Sequence, residues 1–71
     1  MLKDELLKNI GKTMNVNTKM KTKYDFKNLK LVKVYYDEDY YETWLARFDL
    51  RTGGLEIEVD DIESIEILDQ E

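Results

Sequence analysis

The sequence predicts a mainly β protein: one short amphipathic helix followed by a five-stranded, strongly bent small barrel. Three observations lead there. An apolar stripe at helical spacing occupies the first ten residues, and the apolar period then changes from about three and a half to two. The chain also has only 71 residues, which makes one domain the expectation (helix about 2–10, barrel about 12–68). A barrel is an economical way for so short an all-β chain to limit its exposed edges.

In the helix, Leu2, Leu6, Leu7 and Ile10 fall on one face, Asp4 and Glu5 stand in the first turn, Lys8 stands in the last, and Gly11 is placed as a stop. A helix this short needs its apolar stripe packed on something larger. From Lys12, alternation sets Met14, Val16, Thr18 and Met20 against Asn15, Asn17, Lys19 and Lys21, a first strand. Tyr24 and Phe26 begin a second extended region that continues through Leu29–Tyr36. There the apolar set slips from odd positions, Leu29 and Leu31, to even ones, Val32, Val34 and Tyr36, which predicts a bulge or sharp bend.

Asp37-Glu38-Asp39 reads as a hairpin tip. In the next strand Trp44, Ala46, Phe48 and Leu50 share one face, with Thr43, Leu45, Arg47 and Asp49 opposite. Thr52-Gly53-Gly54 is a tight-turn signal. Leu55, Ile57 and Val59 alternate with Glu56 and Glu58, as in a strand wet on one side. Asp60-Asp61-Ile62 is a short connector, one helical turn at most, before Ile65 and Ile67 close the last strand.

This order resembles the SH3-like small barrels, and the Sm-like fold of Sm, LSm and Hfq proteins in particular. Ile10-Gly-Lys-Thr-Met-Asn-Val16 looks like the start of the first Sm strand, and Leu55-Glu-Ile-Glu-Val-Asp-Asp-Ile-Glu-Ser-Ile-Glu-Ile67 looks like the closing strands. The resemblance implies the fold and not the RNA pocket. Sm proteins carry a glycine in the bent second strand, where this chain has Asn28. Their RNA-binding loop sets an aspartate and an asparagine around an apolar residue, where this chain has Asp37-Glu38-Asp39. A second RNA-contacting motif, a basic residue beside glycine, has no counterpart at Thr52-Gly53-Gly54-Leu55.

Composition narrows the chemistry. With no histidine, no cysteine and Ser64 as the only serine, the usual nucleophiles and neutral-pH bases are nearly absent, and no enzyme activity, cofactor or metal site is expected. No apolar run reaches the ~20 residues of a membrane span. The opening Met-Leu-Lys-Asp-Glu lacks a signal-peptide layout, so the cytoplasm is the expected location.

Charge is strongly segregated. Residues 1–33 hold nine lysines against three acids, a balance of +6, and residues 34–71 hold two arginines against thirteen acids, a balance of −11. Three functional readings follow. In the first, a non-enzymatic interaction module binds a protein partner with a basic surface through Tyr35, Tyr41, Leu45, Glu56, Glu58 and Asp61, an acidic face beside hairpin aromatics. A bacterial or phage accessory protein that inhibits a host factor fits this size and charge. The second is an Sm-like nucleic-acid or small-anion binder using a lysine ribbon of Lys19, Lys21, Lys23, Lys30 and Lys33. The third is a subunit that assembles with copies of itself through the exposed edges of its first and last strands.

Overall fold

The computed structural model describes residues 2–19 and 26–68. Within them the chain forms helix α1 (Leu2–Lys8), strands β1 (Thr13–Thr18), β2 (Leu29–Asp37), β3 (Thr43–Leu50) and β4 (Gly53–Glu58), the 3-10 turn η1 (Val59–Asp61) and strand β5 (Ile62–Ile67). All strand pairings are antiparallel, in the order β4-β3-β2-β1-β5. The sheet is not closed: β4 and β5 are its two edges, joined in sequence through η1 and not paired with each other.

Each element places an apolar side chain in one core: Leu6 from α1, Met14 and Val16 from β1, Leu29 and Leu31 from β2, Ala46 and Phe48 from β3, Ile57 from β4, Val59 from η1 and Ile62 from β5. None of the described polar or charged side chains is buried, so the interior is purely apolar. The helix ends at Lys8, two residues short of the expected end, and after a turn through Asn9 and Ile10 the chain reaches Gly11 at φ +93°, a conformation that costs a side-chain-bearing residue about 1–2 kcal/mol. The Gly11 N–H then bonds the Leu31 carbonyl at 2.8 Å and the Leu31 N–H bonds the Lys12 carbonyl at 3.0 Å, fastening the helix exit to β2.

The expected slip in β2 is a register shift against β3 between Leu31 and Lys33. Val32 is the extra residue and turns outward, so Leu31 remains paired with Phe48 and Lys33 with Arg47. A second shift, between Asn17 and Thr18, interrupts β1 against β5. Strands β1 and β2 pair only at Thr13–Lys30 and Met14–Leu29. Beyond that point they part, and Asn28, at φ 56°, turns the chain with its N–H bonded to the Asn15 side-chain oxygen at 3.0 Å. Asparagine tolerates this left-handed conformation better than most residues.

Some boundaries differ from expectation. Phe26 precedes β2 and does not belong to a strand, although its carbonyl accepts the Val16 N–H at 2.8 Å; Met20, Lys21, Lys23 and Tyr24 lie outside the described residues. The hairpin loop is 38–42 and not Asp37-Glu38-Asp39: Asp37 is the last residue of β2, paired with Thr43, and its carboxylate accepts the Tyr41 N–H at 2.7 Å, which draws both tyrosines into the loop. The 3-10 turn begins one residue earlier than the acidic connector, at Val59, and Ile62 already belongs to β5.

Candidate functional site

Five of the six residues expected on a protein-binding face converge on one groove of about 300 Å³. Its β4 side consists of Leu55, Glu56, Ile57 and Glu58; Leu45 comes from β3 and Tyr41 from the hairpin loop; Thr18, Phe26 and Asp61 complete the lining. The sixth residue, Tyr35, does not line the groove, but its hydroxyl donates a hydrogen bond to the Glu56 carboxylate.

Strand register explains the grouping. Tyr35 pairs with Leu45, which pairs with Glu58; Lys33 pairs with Arg47, which pairs with Glu56. Residues opposite one another across neighbouring strands share a face, so this set forms a polar patch on the outer side of β2, β3 and β4. Lys33 Nζ lies 4.5 Å from the centre of the Tyr35 ring, within cation–π range, and Arg47 stands 3.9 Å from Glu56. Bonding to Glu56, with some desolvation and the charges of Glu56 and Asp37, raises the Tyr35 pKa against a smaller opposing effect of Arg47.

Leu45 lies on that outer face by alternation and yet is only 4% exposed. Being buried, it acts as apolar floor of the groove rather than as a projecting contact. At the turn from β4 into η1, Glu58 and Asp61 form a like-charged pair. Hydrogen bonding to Asp61, then desolvation, then the charges of Asp61 and Asp60 raise the Glu58 carboxyl above its ordinary range. The site therefore offers an apolar floor with carboxylates at its rim, of which Glu56 has Arg47 beside it and Glu58 has a second anion.

The lysines are placed differently. Lys30 and Lys33 lie on the outer face of β2 opposite Asp49 and Arg47, whereas Lys19 follows the far end of β1, its N–H bonded to the Asp61 carbonyl at 2.7 Å. Lys21 and Lys23 are outside the described residues. A second hollow of about 240 Å³ lies between α1 and η1, where Lys3 Nζ sits 4.6 Å from the centre of the Trp44 ring and Lys19 is among the lining residues. Trp44 is half-buried, packed against the core, with Tyr36 edge-on to it at 5.7 Å.

Thr18, Phe26, Leu55 and Ile57 line the groove without having been expected there. Leu55 and Ile57 read as ordinary inward strand residues, and only the parting of β1 from β2 brings Thr18 and Phe26 across from β4. Among the described residues no group of three or more histidine, cysteine, aspartate or glutamate side chains is arranged to hold a metal ion. Nor, among them, is any helix long and apolar enough to cross a membrane. No protein-family model, curated protein or solved structure matches the chain.

Proposed function

We propose that this protein is a non-enzymatic binding module whose groove receives a basic segment of a protein partner. The observation that carries the reading is the convergence of Tyr41, Leu45, Glu56, Glu58 and Asp61 on one concave surface. Lysine and arginine are long apolar stems with charged heads, and their stems settle on apolar surface while the heads seek polar partners. An apolar floor with carboxylates at its rim suits both parts of such a side chain. A cation placed between Glu58 and Asp61 also offsets the charge of Asp61, which adds to hydrogen bonding and desolvation in raising the Glu58 pKa.

The fold belongs to the same proposal as an SH3-like, Sm-like small barrel left open along one seam. The position of β1 between β2 and β5, a bulged β2 and a 3-10 turn before the last strand support that reading.

Affinity capture from cells of the source organism tests the function. The native chain is compared with a variant carrying Glu56→Lys, Glu58→Lys and Asp61→Lys, and with another carrying Lys19→Glu, Lys30→Glu and Lys33→Glu. Loss of the captured protein in the first variant and its retention in the second is the expected result. The opposite pattern, with nucleic acid in the captured fraction, transfers the function to the lysines and to phosphate binding.

A further inference from the structure

We propose that the groove's ligand binds as a strand: an extended, lysine- or arginine-bearing segment of a partner protein adds to the outer edge of β4 as a sixth strand. This rests on the groove being the binding surface, and it specifies how the backbone of the partner is held.

The first ground is the edge itself. β4 is terminal in the sheet, bonded to β3 on one side, and no described residue pairs with its other side. Such an edge leaves the N–H and C=O groups of every second residue available to a further chain. The second ground is the course of the groove. Successive side chains of a strand point to opposite faces, so a hollow touched by one face meets only alternate residues. This groove is lined by Leu55, Glu56, Ile57 and Glu58 in succession, and therefore runs along the edge of the strand. Phe26 and Asp61 form its far side, so a chain lying there is flanked by an apolar side chain and a carboxylate.

The third ground is charge, which selects the occupant. A second copy of the protein offers β4, with Glu56 and Glu58, or the other edge strand β5, with Glu63 and Glu66 exposed. Either pairing brings glutamates against glutamates, and like charges on adjacent strands are destabilising. A strand carrying lysine or arginine at alternate positions meets the same edge with opposite charge. The acidic edge thus disfavours copies of this chain and favours a basic partner.

The test uses the full chain, isotopically labelled, titrated by NMR with blocked six-residue peptides alternating lysine with valine. A counterpart with glutamate for lysine is the charge control. Two further versions of the lysine peptide carry N-methyl groups on alternate amides, one version for each register. A bound strand turns one alternate set of its N–H groups toward β4 and the other set to solvent. The expected result is binding of the lysine peptide, with shifts centred on the β4 amides, and at least tenfold weaker binding of the glutamate peptide. One methylated version loses tenfold or more in affinity and the other binds like the parent. If both methylated versions bind like the parent, strand addition is overturned while the groove remains a binding surface for basic side chains. If the lysine peptide does not bind, both readings fall. Concentration-dependent self-association through β4, seen by light scattering, overturns the choice of a basic partner over a second copy.

Discussion

Glu58 illustrates what single side chains contribute here. Its carboxyl holds a proton more firmly in the folded chain than in the unfolded one, because Asp61 is close enough to share it. Folding thus favours the protonated form: the pair is a cost at neutral pH, and the fold gains stability as pH falls through the raised pKa toward the ordinary value of 4.5. Glu58→Gln keeps a hydrogen-bond donor for Asp61 without the charge. It is expected to raise the melting temperature at about pH 7, with the advantage gone near pH 4, where glutamate is mostly protonated in both states. Thermal melts between those limits check this, and a variant less stable at neutral pH would show that Glu58 is engaged by a cation instead. The carboxylates were legible in the sequence because alternation puts Glu56 and Glu58 on the outer face of an obvious strand. Leu45 was placed on the correct face but not at the correct depth, since period-two patterning says which way a side chain points and not what covers it.

Among the elements, β2 is the most informative. Its bulge was legible as a slip of the apolar residues from odd to even positions, yet the pattern alone included Val32 in the even set, whereas Val32 is the inserted residue and is 38% exposed. Removing Val32 makes the register regular, with Leu31 still opposite Phe48, Lys33 opposite Arg47 and every side chain on its own face. What the deletion removes is the local bend and added twist that a bulge supplies. The deletion is expected to abolish cooperative unfolding, because a straighter β2 holds Leu29 and Leu31 away from the core on β3. Val32→Thr, by contrast, should change stability by no more than about 0.5 kcal/mol. Urea denaturation of the two variants checks the pair, and a deletion variant as stable as the native chain would mean that the curvature comes from elsewhere.

At the scale of the molecule, every element reaches a single core in which Phe48 is fully buried. Truncating such a residue to alanine costs about 3–5 kcal/mol. A domain of this length has roughly 4–11 kcal/mol of stability in total. Phe48→Ala is therefore expected to remove at least about a quarter of the folding stability, read as a large fall in the urea midpoint. In urea, the native chain should lose Trp44 fluorescence and far-UV circular dichroism together. Separate transitions would show that the helix and the sheet are independently stable units.

Residue pattern and composition specify the helix, the approximate positions of the five strands, the bulge, the two hairpins and the near absence of nucleophilic and basic catalytic groups. Each of these is recorded locally, in composition, in the spacing of apolar residues or in turn residues a few positions apart. The tertiary structure alone decided that β4 and β5 remain separate edges, that Leu45 is covered, and that Thr18 and Phe26 stand across from β4. Those outcomes depend on how far the sheet curls once the twist and bulges of several strands add together. That sum is set by packing between residues distant in the chain, which no local period encodes.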